Sequence, residues 1–137
     1  MGETSTEDAA LLDRLMTSPK ERAENTIIVD LVRNDLARIA STGTVRVDSL
    51  CRGETYETVH QLTSEVSARL GVHAGLVDVF RALFPCGSVT GAPKQRTTHI
   101  IRELETGPRG VYCGAVGWVA PVGAHTRARF SVAIRTA

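Results

Sequence analysis

The chain has 137 residues, 42% of them apolar and 23% charged, a globular composition with room for one ordinary domain rather than two. Its 16 basic and 15 acidic residues leave a net charge of +1, which excludes nucleic-acid binding through a broad basic footprint. No apolar run approaches the roughly 20 residues of a membrane-spanning helix, and the polar, acidic start from Met1 to Asp8 is no secretory signal.

Residues 5–17 are predicted to form a short helix, capped by Ser5 or Thr6, with Leu11, Leu12, Leu15 and Met16 on one side. A second helix begins at Ser18, a good N-cap, with Pro19 at the first helical position and Glu21 completing a capping box. Ile27, Ile28, Leu31, Val32, Leu36 and Ile39 then recur at three- and four-residue spacing, so this helix should reach about Ala40 and stop before Ser41-Thr42-Gly43. Thr44 to Val47 alternates and is rich in β-branched residues, which predicts a strand. Thr55 to Leu70 is read as another.

Leu76 to Phe84 is predicted as a short helix ended by Pro85. A polar loop from Cys86 to Gly91 follows, and Pro93 opens a helix that ends near Gly107-Pro108. Val111 to Val119 and Arg127 to Thr136 are predicted as the strands of a hairpin turning around Pro121 to Gly123. On the second strand Ala128, Phe130, Val132 and Ile134 share one face. Arg127, Arg129 and Arg135 share the other, which pattern alone assigns to solvent. Tyr112 and Trp118 have the same parity and are expected to pack in the core. The order of elements implies an α+β or layered α/β architecture.

Cys51, Cys86 and Cys113 are odd in number and widely spaced, so neither a disulfide framework nor a metal site is expected. They read as thiols of a reducing cytoplasm. The run Gly87-Ser88-Val89-Thr90-Gly91-Ala92-Pro93-Lys94 fails as a phosphate loop, because Ala92 and Pro93 separate Gly91 from Lys94 and Gln95 stands where a magnesium-binding hydroxyl is required. A Gly/Ser/Thr loop feeding a helix can present N–H and hydroxyl groups to a carboxylate, and it can equally be a plain helix cap. Glu24, one turn inside the second helix, reads as a solvated surface residue unless the helix aims it at a hard cation. His60 reads as a satisfied structural histidine. The residues alone therefore stop at a small-anion site built from the Ser88–Thr90 loop and Arg135.

Four runs go further: Arg22 to Leu36 (RAENTIIVDLVRNDL), Glu57 to Leu62 (ETVHQL), Gly87 to Lys94 (GSVTGAPK), and Tyr112 to Gly117 (YCGAVG) with Val132 to Thr136 (VAIRT). In this order they strongly resemble the chorismate-utilising enzymes, a family that includes anthranilate synthase component I, para-aminobenzoate (aminodeoxychorismate) synthase component I, and isochorismate and salicylate synthases. Glu24-Asn25 and Ser88-Val89-Thr90-Gly91 are most similar to the para-aminobenzoate branch; anthranilate synthases usually carry histidine after the glutamate.

The resemblance implies amination of chorismate to 4-amino-4-deoxychorismate, a step toward folate, with ammonia from a glutamine amidotransferase partner. It implies Glu24 as a Mg²⁺ ligand, Ser88 and Thr90 in the loop that contacts a substrate carboxylate, and Tyr112 with Arg135 as the grip on the enolpyruvyl carboxylate. It also implies absences. Gln61 stands where the family has histidine, and His60, one residue away in a strand, points to the opposite face. The branch's nucleophilic lysine, in a proline-isoleucine-lysine-glycine-threonine run, belongs upstream of Met1, and a second metal glutamate belongs downstream of Ala137.

Residues 1–137 are therefore expected to be the central part of a chorismate-binding domain, without catalytic activity alone, and prone to self-association through apolar faces and open strand edges. The alternatives are part of an anthranilate synthase component I, and a non-catalytic chorismate-binding module.

Overall fold

The computed structural model describes residues 2, 4–123 and 125–135. Nine elements occur in it: α1 (Ser5–Thr17), α2 (Pro19–Ala37), β1 (Arg46–Thr55), β2 (His60–Ser67), α3 (Leu76–Leu83), α4 (Gly87–Thr90), α5 (Lys94–Leu104), β3 (Ala115–Val122) and β4 (His125–Val132). The expected α+β class is found. The chain divides into two units, Met1–Leu83 and Phe84–Ala137.

In the first unit β1 and β2 form an antiparallel hairpin against which α1 and α2 pack, while α3 packs on α2. Thr4 caps α1, one residue before the expected Ser5, with a full capping box: its side chain accepts from Glu7 N–H and the Glu7 carboxylate accepts from Thr4 N–H. Ser18 caps α2 as expected, accepting from Glu21 N–H, with Pro19 in the first turn. That helix ends at Ala37, three residues short of Ala40, because Ala40 pairs instead with Leu70 in an isolated bridge. Gly53 lets α1 lie directly on β1: a Cβ there would stand 2.8 Å from Met16 Sδ and 2.9 Å from Leu12 Cδ1.

The strands differ most from the sequence expectation. The one predicted over Thr44 to Val47 runs from Arg46 to Thr55, and the one predicted from Thr55 to Leu70 covers only His60–Ser67. The turn between them is closed by Tyr56 N–H donating to Val59 O at 2.9 Å. β1 carries register irregularities between Val47 and Arg52, and within them the buried Cys51 adopts a left-handed backbone at φ 52°.

A polar network surrounds this bulge. Cys51 N–H donates to Ser64 Oγ at 2.8 Å, the Ser64 hydroxyl donates to Asn25 Oδ1, and Asn25 Nδ2 donates to Leu62 O at 3.1 Å. One asparagine thus ties α2 to both strands and fixes the roll of the helix around its neighbour Glu24.

His60 is the structural residue its sequence context suggested. Its side chain is only 7% exposed. Nε2 lies 3.1 Å from Asp8 Oδ1 and Nδ1 lies 3.0 Å from Thr55 Oγ1. A carboxylate only accepts, so a ring protonated on Nε2 donates to Asp8 and accepts from Thr55. The Gly2 N–H and then His60 hold the Asp8 carboxyl below its ordinary value of 3.8. A depressed carboxyl stabilises the fold above its unfolded pKa, and that contribution fades as pH falls through the lower folded value. His60→Ala is expected to cost about 1–3 kcal/mol, since it strips the part-buried bond that ties α1 to β2 through Asp8 and the bond to Thr55 on β1. Urea unfolding at neutral pH checks this, and an unchanged midpoint would contradict it.

In the second unit β3 and β4 pair antiparallel from Ala115↔Val132 to Val122↔His125, with Gly123 at φ 60° in the turn. Pairing continues past the strands: Cys113 N–H donates to Ala133 O and Ala133 N–H to Gly114 O, each at 3.0 Å. The helix after Pro93 starts at Lys94 and ends at Leu104, short of the expected Gly107-Pro108. Tyr112 lies in the turn before β3 rather than on the strand, and Trp118, expected in a core, is 52% exposed. Thr136, which closed the predicted second strand, lies outside the described residues. No helix among the described residues is long and apolar enough to cross a membrane.

Candidate functional site

Glu24 lies in the first unit, on α2. Its side chain is 62% exposed and 3.9 Å from Lys20 Nζ, one turn earlier. An exposed pair at that distance is worth about 0–1 kcal/mol, so a divalent cation can displace Lys20 at little cost. Among the described residues no three His, Cys, Asp or Glu side chains converge on a point. One accessible carboxylate is nevertheless a fit for magnesium, which retains waters and takes oxygen ligands from its substrate.

The other four residues lie in the second unit. The loop expected from Cys86 to Gly91 is a single helical turn, α4. Its later N–H groups are used within the turn: Val89 and Thr90 donate to Cys86 O, and Gly91 donates to Gly87 O at 2.8 Å. The Thr90 hydroxyl also donates to Cys86 O, at 3.1 Å. Ser88 is exposed on this turn, and its hydroxyl has no partner among the described residues. Gly91, at φ 96°, leads from the turn toward α5, where the Thr97 hydroxyl lies 3.1 Å from Pro93 O.

Tyr112 stands in a turn in which its own N–H donates to Arg109 O at 3.2 Å, and Gly114 N–H donates to Val111 O at 2.8 Å. The ring is 61% exposed and its hydroxyl has no partner among the described residues. The Arg109 guanidinium lies 5.9 Å from the ring centroid. Arg109 Nε donates to both oxygens of Glu105, at 2.9 and 3.0 Å, and Nη1 reaches Cys113 Sγ at 3.6 Å. Glu105 raises the guanidinium further above its ordinary range, and Arg109 in turn holds the Glu105 carboxyl below the usual carboxylate range.

Arg135 corrects the alternation argument. β4 ends at Val132, Ile134 N–H folds back onto Val132 O at 2.9 Å, and Arg135 has a left-handed backbone at φ 53°. It therefore does not share a strand face with Arg127 and Arg129. It projects from the end of the hairpin where the Cys113–Ala133 pairing closes, the end that also carries Tyr112.

Sequence reading passed over Arg109 and Glu105. The signal was present, as a Glu and Arg four residues apart followed by a tyrosine three residues on, but Gly107 and Pro108 between them hid it as a helix-ending turn.

Comparison with known proteins places these residues among relatives. The model of a family described as chorismate binding enzyme matches residues 1–137. The chain is 54% identical over 135 residues to aminodeoxychorismate synthase of Streptomyces griseus, covering 98% of this chain and 18% of that protein. It is 45% identical over 136 residues to anthranilate synthase component 1 of Aquifex aeolicus, covering 99% of this chain and 27% of that protein. The crystal structure of anthranilate synthase component I from Streptococcus pneumoniae superposes with a TM-score of 0.84 at 41% identity, over 96% of this chain and 29% of that one. The chain thus spans less than a third of the length of each of these relatives.

Proposed function

The chain belongs to the chorismate-binding enzymes, and from that premise we propose that residues 1–137 are the central part of the chorismate-binding domain of an aminodeoxychorismate synthase. The observation that carries this reading is the 54% identity to an aminodeoxychorismate synthase along nearly the whole chain. Asn25 after Glu24, and the Ser88-Val89-Thr90-Gly91 form of the α4 turn, support the same branch.

Chorismate is a dianion, and the proposed roles follow from its two carboxylates. Arg135 supplies a planar fork suited to bidentate pairing with the enolpyruvyl carboxylate, and the exposed Tyr112 hydroxyl donates beside it. Ser88 donates its unpartnered hydroxyl to a substrate carboxylate. The Thr90 hydroxyl, already given to Cys86 O, shapes the turn that presents Ser88. Glu24 is the chain's ligand for Mg²⁺, which when bound screens the ring carboxylate and favours displacement of the C4 hydroxyl.

Ammonia from a glutamine amidotransferase replaces that hydroxyl, which leaves as water. The chain's lysines are Lys20 and Lys94, and neither lies in a proline-isoleucine-lysine-glycine-threonine run. The roles proposed for these residues are to bind and orient the substrate. The three free thiols agree with a cytoplasmic reaction.

Anthranilate synthase is the second reading, supported by the identity to the Aquifex aeolicus protein. Product identity separates the two. Given chorismate, ammonium and Mg²⁺, the protein as its gene encodes it is expected to release 4-amino-4-deoxychorismate, identified by chromatography and mass. Release of anthranilate with pyruvate would establish the second reading instead.

A further inference from the structure

We propose that Arg109 is a positioning residue that sets the Tyr112 ring for the substrate carboxylate, oriented by Glu105 and not itself a ligand of the substrate. This rests on the proposed chorismate reading and deepens it.

Tyr112 has little else to hold it. Its backbone is fixed by the turn from Arg109 to Gly114, but the ring is 61% exposed and its hydroxyl has no partner among the described residues. The Arg109 guanidinium stands over it, 5.9 Å from the ring centroid, within cation–π range. Arg109 is held in turn. The side-on fork to Glu105 fixes the guanidinium plane, and Cys113 Sγ receives the remaining Nη1 at 3.6 Å.

Glu105 is the C-cap of α5, with its N–H on Ile101 O. The other end of α5 packs against the α4 turn that bears Ser88. The two presented hydroxyls, Ser88 and Tyr112, are therefore referenced to one helix. The Glu105 carboxylate also neutralises Arg109, so the guanidinium acts on the ring and not as a free charge for an incoming anion.

The test is steady-state kinetics of the protein as its gene encodes it, with thermal melting beside each variant. Arg109→Gln is expected to raise KM for chorismate about tenfold while kcat falls less than about threefold, the pattern of lost ground-state positioning. Arg109→Lys, which keeps the charge and loses the fork, should lie between. Tyr112→Phe and Arg109→Gln combined should cost no more than the larger single change, because both act through one hydroxyl.

Glu105→Gln decides the role of Arg109. If Arg109 positions the ring, loosening it raises KM several-fold; if Arg109 is itself the carboxylate ligand, freeing it lowers KM and overturns the proposal. An unchanged KM in Arg109→Gln, effects that multiply in the double variant, or a uniform loss of activity tracking a lowered melting temperature would also overturn it. A wild-type protein that chorismate does not saturate overturns the chorismate reading itself. Saturation of wild type with an unaltered Arg109→Gln overturns this inference alone.

Discussion

Arg135→Ala is expected to lower kcat/KM for chorismate by about 10²-fold, and Arg135→Lys by about tenfold. The first removes a charge together with the proposed two-point grip on a carboxylate, a loss in the range of about 2–5 kcal/mol for a hydrogen-bonded charge pair. The second keeps the charge and loses the planar fork, so the difference between them measures geometry. The left-handed backbone at φ 53° aims this side chain from the end of the β3–β4 hairpin. Steady-state kinetics at fixed Mg²⁺ checks both variants. Equal activity of wild type and Arg135→Ala would remove Arg135 from the site.

Glu24→Gln is expected to cost more, about 10³-fold in kcat/KM, with most of the response to added Mg²⁺ lost. The amide is nearly isosteric, so α2 and its Asn25 anchor to Leu62, Ser64 and Cys51 are undisturbed. The change removes the negative charge proposed to hold the cation. Loss of the weak contact with Lys20, 3.9 Å away on an exposed face, is too small to explain such an effect. The check is activity across a Mg²⁺ series. An unshifted series would show that Glu24 binds no metal.

How far the sequence carries the fold depends on local chemistry. The α2 helix was legible because Ser18, Pro19 and Glu21 mark its start and its apolar residues keep helical spacing. The β1 strand was not. Its sequence RVDSLCRGET is mostly polar, and the bulge around Ser49 to Arg52 breaks the two-residue period that strand reading depends on. No sequence signal places Cys51 at positive φ; that follows from its N–H reaching Ser64 across the hairpin.

The site divides the same way. Ser88, Tyr112, Arg135 and Glu24 were singled out by motif, but the motif does not show what surrounds them. Alternation placed Arg135 on a strand face because parity assumes that pairing continues, and the chain leaves the sheet after Val132. The Ser88–Thr90 segment read as an open loop because glycines flank it, yet four residues suffice to close a single helical turn. Arg109 was hidden because its contacts with Glu105, Tyr112 and Cys113, though only three or four residues away, form in a short irregular segment where helical spacing rules do not apply.

Chorismate binding, proposed for Glu24 through Mg²⁺ and for Arg135, is tested by calorimetric titration of chorismate into the protein as its gene encodes it, with Mg²⁺ and again with EDTA. Saturable binding that needs Mg²⁺ and is weakened separately by Glu24→Gln and by Arg135→Ala is expected. Binding of equal strength in EDTA, or no saturable binding under either condition, would contradict it.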